Sequence, residues 1–409
     1  MQTKIDDTIK QTARGEEADN ILRSCVHCGF CNATCPTYQL FGNELDGPRG
    51  RIYLIKQALE GQTVSEKTQF HLDRCLTCLA CESTCPSGVR YSHLLDIGRK
   101  WIEEQVSRPN NEVFKRKALR TFLPYPNRFK LLLILGQLFR PLLPLKLKKT
   151  IPVRRRSRIS WPTTKHSRTM LILEGCVQSA LVPNINAAAA QVFDRLGIRL
   201  LRAKGCCGAI SQHLAAPEEA GRLMRRNIDA WWPLIEDGAE ALVMTASGCG
   251  SMVKEYGYYL QDDSDYADKA KYIANMTYDL SEVLAKQDLS AWKAAGKDRT
   301  IAFHAPCSLQ HAQKVIGVVE PILKSAGFQL TTVPDAHLCC GSAGTYSLLQ
   351  KDLSQQLLTD KIRALESEKP EIIATANIGC LTHLASVAAV PVVHWIELLA
   401  DVDGNTKKL

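Results

Sequence analysis

Near the start of the chain, Cys25-Val-His-Cys28-Gly-Phe-Cys31-Asn-Ala-Thr-Cys35-Pro36 follows the pattern C-x2-C-x2-C-x3-C-P, and Cys75-Leu-Thr-Cys78-Leu-Ala-Cys81-Glu-Ser-Thr-Cys85-Pro86 repeats it fifty residues later. A cubane [4Fe–4S] cluster needs four thiolates around one small volume, and three cysteines at this spacing can wrap three corners from a single tight loop. The fourth cysteine of such a run ligates the other cluster in two-cluster ferredoxins. The spacing therefore predicts one cluster on Cys25, Cys28, Cys31 and Cys85 and a second on Cys75, Cys78, Cys81 and Cys35. The proline after each fourth cysteine stops any helix there. Zinc on paired C-x2-C units is the competing chemistry. A zinc site takes four thiols, so it would leave half of these eight without a role.

The elements around the loops read as helices. Residues 1–24 are expected to form one helix entering the first loop, and Pro48–Leu59 another, with Pro48 at its first position and Gly61 past its end. Periodicity predicts further helices over 91–107 and 111–122. Residues 1–125 are thus expected to be an α-helical, ferredoxin-like module whose small core depends on its clusters. Arg49 and Arg51 are either cations that raise the potential of an anionic cluster or exposed charges at a helix start.

Past residue 168 the chain repeats itself. Met170-Leu-Ile-Leu-Glu-Gly-Cys176 is echoed by Thr300-Ile-Ala-Phe-His-Ala-Pro-Cys307, Gly205-Cys206-Cys207-Gly208 by Leu338-Cys339-Cys340-Gly341, and Thr245-Ala-Ser-Gly-Cys249 by Thr375-Ala-Asn-Ile-Gly-Cys380. The spacings agree within two residues: 30 and 32 before the second cysteine, 42 and 40 after the third. Apolar runs at 170–174, 198–202 and 241–245 alternate with helical stretches at 185–196 and 216–236; the second half has strand-like runs at 300–304, 328–333, 371–375 and 391–394. Such alternation predicts parallel α/β layers, and ligands gather beyond the carboxyl ends of such strands. Cys176, Cys206, Cys207 and Cys249 should converge at one edge, and Cys307, Cys339, Cys340 and Cys380 at another. The expected class is α+β multidomain: a helical module (1–125), an apolar helix and basic linker (126–168), and two α/β repeats (169–295 and 296–409).

Sixteen cysteines in 409 residues, behind an N-terminus that lacks a signal-peptide pattern, point to metal or redox ligands in a reducing, cytoplasmic setting. The net charge of +9 is local: ten Lys/Arg and no Asp/Glu lie between Arg140 and Arg168, leaving 41 basic against 42 acidic residues elsewhere, so no nucleic-acid partner is expected. The tract includes Lys146–Lys149 and Arg154–Arg158, and it follows Phe129-Lys-Leu-Leu-Leu-Ile-Leu-Gly-Gln-Leu-Phe139. The nine uncharged residues between Lys130 and Arg140 are too few for the roughly 20 that span a bilayer. The segment is either a core helix or one lying on a membrane surface.

The Cys-Cys-Gly repeats resemble the CCG domain of heterodisulfide reductases and of iron–sulfur subunits of anaerobic glycerol-3-phosphate, lactate and glycolate oxidising complexes. Together with Leu45-Asp-Gly-Pro-Arg-Gly-Arg-Ile-Tyr-Leu-Ile-Lys56, Thr245-Ala-Ser-Gly-Cys-Gly250 and Cys339-Cys-Gly-Ser-Ala-Gly-Thr-Tyr346, they look specifically like the glycolate oxidase iron–sulfur subunit family. That resemblance implies a cytoplasmic or membrane-associated complex in which separate FAD-containing subunits oxidise glycolate and this chain relays the electrons. The fuller family pattern ends each repeat in C-x2-C, which would put further cysteines at Ala246 and Asn377. Four thiols per half still suffice for one [4Fe–4S] each.

No nucleotide site is visible, since Gly248-Cys-Gly250 is followed by Ser-Met-Val-Lys without the glycine a dinucleotide fold needs. No residue here is therefore expected to be catalytic on glycolate. His27, His304, His311, His337 and His383 lie near cysteines and are expected to be structural, as is Trp231-Trp232 in core or interface. A thiol-disulfide reductase and a zinc-bound assembly module are the alternative function classes.

Overall fold

The computed structural model describes residues 1–142, 159–293 and 295–400. The basic clusters Lys146–Lys149 and Arg154–Arg158 lie outside these residues.

Instead of one helix over 1–24 there are two, Asp7–Lys10 and Ala13–Ser24. Thr12 caps the second, its hydroxyl accepting from the Gly15 N–H at 3.0 Å. Gly15 packs against the Ile9 carbonyl so closely that a Cβ would sit 1.9 Å from that oxygen, which is why the chain folds back here. The helix ends on Cys25. Pro48–Leu59 forms as expected, with Pro48 in the first turn and Gly61 past its end at φ 79°. Tyr91–Gln105 crosses it at Gly98, where a Cβ would lie 2.6 Å from Ile55. Leu22, Ile55, Leu59, Leu94 and Leu95 are fully buried between these helices, in one cluster with Cys25, Cys75 and Cys81. The thiols are part of this core.

Two four-stranded sheets follow. The first contains β1 (Arg168–Leu173), β2 (Ile198–Ala203), β3 (Leu242–Met244) and β4 (Thr277–Asp279) in the order β2-β1-β3-β4. The second contains β5 (Thr300–His304), β6 (Gln329–Leu330), β7 (Ile372–Thr375) and β8 (Val392–His394) in the order β6-β5-β7-β8. All pairings are parallel. The identical order shows that the sequence repeat is a repeat of architecture. β4 escapes a search for apolar runs because it is Thr-Tyr-Asp, with Asp279 closing a capping box on the next helix. The strand expected over 328–333 shortens to two residues. Its pairing ends after Thr331 donates to the Ile301 carbonyl at 2.9 Å, shortly before Pro334, which has no N–H to continue the ladder.

The halves share one core, in which Ile172, Phe193 and Ile198 join Ile301, Ile373, Trp395 and Leu399. Trp231 is buried in a separate core and donates to the Lys204 carbonyl at 3.0 Å, whereas Trp232 is half-buried against the edge of that core and donates to Glu236. The apolar segment forms the helix Pro126–Phe139, and none of its residues is buried. Leu131 is 59% and Leu138 68% exposed, which overturns the core-helix alternative. No helix among the described residues is long and apolar enough to cross a membrane.

Two helical glycines should respond to alanine with opposite signs. Gly98→Ala pushes a methyl into Ile55 and is expected to destabilise by about 1–3 kcal/mol. Gly221→Ala, whose Cβ would meet nothing nearer than Arg225 at 3.5 Å, should stabilise by about 0.5–1 kcal/mol. Thermal unfolding of both variants checks the signs.

Candidate metal centres

The two N-terminal loops share an unusual backbone. His27 (φ 60°) and Gly29 (φ 88°) in the first loop, and Thr77 (φ 53°) and Leu79 (φ 61°) in the second, are left-handed at the same two positions. This winding points amides at sulfur: Thr77 N–H lies 3.4 Å from Cys75 Sγ. Gly29 adopts this left-handed conformation without steric penalty, whereas Leu79 adopts it at a cost of about 1–2 kcal/mol.

Cys25, Cys28, Cys31 and Cys85 line one pocket, together with His27, Arg49, Pro86 and Tyr91. Cys81 borders the same pocket, but it is Cys85 of the other run that lies in the electrostatic neighbourhood of both Cys25 and Cys31. Cys35 in turn lies in the electrostatic neighbourhood of Cys78 and Cys81. Cys28 is exposed, as are its neighbours Val26 (68%) and Phe30 (65%), whereas Cys75, Cys78 and Cys81 are all buried. One set faces solvent and the other faces the interior.

Burial pushes Cys31 up to about 11, with Cys25, Cys28 and Cys85 adding to the rise. Burial and neighbouring thiols likewise raise Cys78 and Cys81 well above the ordinary thiol value. Four such groups cannot all be anionic without a compensating cation in their midst. These donor sets therefore fit clusters whose iron supplies that charge. Cys75 differs: burial opposes its ionisation, but Arg51, Arg99 and the Thr77 amide outweigh it and lower its pKa.

Arg51 is 1% exposed, so it is not a surface charge. It donates to the His71 carbonyl at 2.8 Å and to Thr37 Oγ1 at 3.2 Å, and lies 3.8 Å from buried Asp46. His71 and Arg74 also bind Asp46, at 2.9 and 2.8 Å. This network fixes a cation beside the inner thiols. Arg49 does remain at the surface, paired with Glu44 at 3.0 Å.

In the repeats, the glycine of each Cys-Cys-Gly is left-handed, Gly208 at φ 92° and Gly341 at φ 87°. A Cβ on Gly341 would sit 2.7 Å from the Ser354 carbonyl, so only glycine lets the chain turn this close to the neighbouring helix. In the first half Cys206 contacts Cys176 and Cys207, and Cys207 contacts Cys249. In the second, Cys307 and Cys339 lie 3.8 Å apart, Cys340 contacts Cys339 and Cys380, and His304 joins Cys340 and Cys380 with all ligand atoms within 4.8 Å. Asn377, at the position of a missing family cysteine, bridges the halves: its Oδ1 accepts from Gly248 N–H at 3.3 Å while its amide donates to Cys380 Sγ at 3.6 Å. Ala246 is simply buried.

The inner loop is docked on the second half. Leu76, Cys78 and Ala80 pack with Cys339, Tyr346, Leu353 and Leu357. Tyr346 donates to the Arg74 carbonyl at 3.1 Å, and Ser83 meets His311 at 2.8 Å. The first half meets the helical module elsewhere, through Gln212 and Tyr259 on Asp96. Of the histidines, His27 stacks on Tyr53, His311 bonds the His337 carbonyl and His383 pairs with Ser354. Buried His304 is different, because its Nε2 has no partner. Lys361, 3% exposed, carries no sequence motif that marks it, though it falls on the buried stripe Leu357, Leu358, Leu365 of its helix.

Residues 21–89 match the 4Fe-4S dicluster domain family, and residues 170–254 and 301–385 the cysteine-rich CCG domain family. With the donor sets above, these matches make iron–sulfur clusters the chain's cofactors. The chain is 56% identical over 401 residues, 98% of each sequence, to the glycolate oxidase iron-sulfur subunit of Escherichia coli (strain K12). It is 28% identical, over 94% of each, to the probable glycolate oxidase iron-sulfur subunit of Bacillus subtilis (strain 168). Lactate utilization protein A of Bacillus velezensis is 30% identical across 51% of this chain and 87% of its own length. A crystal structure of a hypothetical protein from Helicobacter pylori shares the fold, with TM-score 0.57 at 8% identity over 97% of this chain and 74% of that one. Identity at the level of the first of these, sustained across both whole chains, places this protein in the glycolate oxidase iron–sulfur subunit family.

Proposed function

We propose that this chain carries electrons singly from FAD-containing partner subunits, which oxidise glycolate to glyoxylate, toward a downstream acceptor at the membrane. The observation that carries the reading is the pair of thiol groups, one reaching the surface at Cys28 and one buried against the second repeat. Bound clusters supply one-electron steps, which divide the electron pair that a flavin removes from a 2-hydroxy acid. Cys25, Cys28, Cys31 and Cys85 hold the outer cluster; Cys75, Cys78, Cys81 and Cys35 hold the inner one. Arg51 stabilises added negative charge at the inner site, while the Tyr91 hydroxyl, 3.6 Å from Cys75 Sγ, donates to the same ligand. In the first repeat Cys176, Cys206, Cys207 and Cys249 offer a third ligand set. The exposed side chains of Val26 and Phe30 beside Cys28 give the flavoprotein an apolar patch next to the outer cluster. No residue of this chain acts on the substrate. Glycolate is favoured over lactate because the lactate-utilisation relative aligns with only 51% of this chain.

The reading places the complex on the cytoplasmic face of the inner membrane. Its support is the bare apolar surface of Pro126–Phe139 followed in sequence by Arg154, Arg155, Arg156 and Arg158, a combination that suits an anionic lipid surface.

Two outcomes check these points. A complex carrying Cys28→Ser and Cys78→Ser should bleach its flavin on adding glycolate yet fail to reduce the acceptor; acceptor turnover at the wild-type rate would reject the relay. For the membrane, the purified chain should sediment with anionic vesicles at low salt and release as salt rises. Leu131→Glu with Leu138→Glu should abolish sedimentation without loss of iron, and unchanged sedimentation would reject the apolar helix as the anchor.

A further inference from the structure

The two repeats are alike in strand order but not at their sites. Counting back three residues from Cys176 and Cys307, the first half has Leu173 where the second has His304, each the last residue of its strand. His304 is 2% exposed and its Nε2 lacks a hydrogen-bond partner. A buried ring nitrogen without a partner costs about 1–3 kcal/mol, and the Cys340 and Cys380 thiols lie within 4.8 Å of this ring's ligand atom, with the Lys361 charge also acting on it. Imidazole and thiolate together are typical ligands of a tetrahedral zinc ion.

We propose that the second repeat holds a single zinc ion on His304, Cys340, Cys380 and Cys339, rather than an iron–sulfur cluster. His304, Cys340 and Cys380 already have their ligand atoms within 4.8 Å of one another. Tetrahedral Zn–S bonds of about 2.3 Å place ligand sulfurs about 3.8 Å apart, so three donors this close suit one ion. The fourth corner falls to Cys339, whose thiol contacts those of Cys340 and Cys307 and lies outside the three-donor group, so it closes onto the ion when the metal binds.

Charge supports the same count. Three thiolates and one zinc sum to −1, and the buried Lys361 ammonium, which donates to the Asp335 carbonyl at 2.8 Å, lies close enough to Cys339 and Cys340 to offset it. Each thiol gives up its proton to solvent when the ion binds. The ion would tie the end of β5, the Cys-Cys-Gly turn and the helix Ile378–Leu384 into one unit. Zinc has no redox chemistry, so its role is to brace the surface on which the inner loop docks. Cys307 is left as the free thiol facing Cys78.

The test is metal analysis and zinc-edge X-ray absorption on the full chain purified anaerobically from zinc-replete cells. About one zinc per chain is expected alongside the iron, with a first shell of one nitrogen and three sulfurs. His304→Gln should lower bound zinc at least tenfold while leaving iron and the EPR signals of the reduced clusters unchanged. Zinc below a tenth of an equivalent in the wild type, an all-sulfur shell, or iron lost together with zinc in His304→Gln would each overturn the proposal. If His304→Gln does not fold, the wild-type shell still decides, and Cys380→Ser provides the second variant with the same expected loss.

Discussion

The helical module answers to one electrostatic constraint: eight thiols, all but Cys28 at least partly buried, are gathered in one small region, and they can ionise together only around a compensating cationic centre. Burial, with neighbouring thiols adding to it, raises Cys31, Cys78 and Cys81. The chain contributes left-handed loop residues that turn amides toward sulfur, and Arg51 locked by Asp46 beside the inner set. Because Cys25, Cys75 and Cys81 belong to the same buried cluster as Leu22, Ile55 and Leu95, ligand geometry and core packing are one problem. The proposed exchange of Cys35 and Cys85 has a topological consequence: under it, neither loop completes its site without the other.

The repeats meet a different constraint, that of turning a strand end sharply enough to present two adjacent thiols. Gly208 and Gly341 solve it in the same way, each entering conformations closed to other residues while a helix packs close by. From that common turn the halves diverge. The first keeps four thiols and an apolar Leu173, whereas the second acquires His304 and Lys361 and lies against the inner loop. One architecture thus carries two distinct chemical environments, differing at the matched pair Leu173 and His304.

Much of this was legible in the sequence, because covalent spacing and periodicity are local properties. The cysteine runs, the Pro48 helix start and seven of the eight strands follow from such signals. The missing strand, Thr277-Tyr-Asp279, is polar at both ends and is a strand only because β3 pairs with it. The sequence leaves the burial of Arg51 open because nothing in its own helix reveals that Asp46, His71 and Thr37 converge on it. Lys361 hid for the opposite reason, a charged residue on an apolar stripe whose partners come from a distant turn. The Pro126–Phe139 segment left two alternatives open because its composition suits either a core or an interface. Only its three-dimensional surroundings, which bury none of it, separate the two.

The crossing of the two cysteine runs is the central claim, and single-ligand substitution read by Mössbauer and EPR spectroscopy tests it directly. Cys85→Ser should perturb the cluster held by Cys25, Cys28 and Cys31, although Cys85 is next in sequence to the other three; Cys78→Ser should perturb the inner cluster. Spectra in which both variants damage the same cluster would contradict the account.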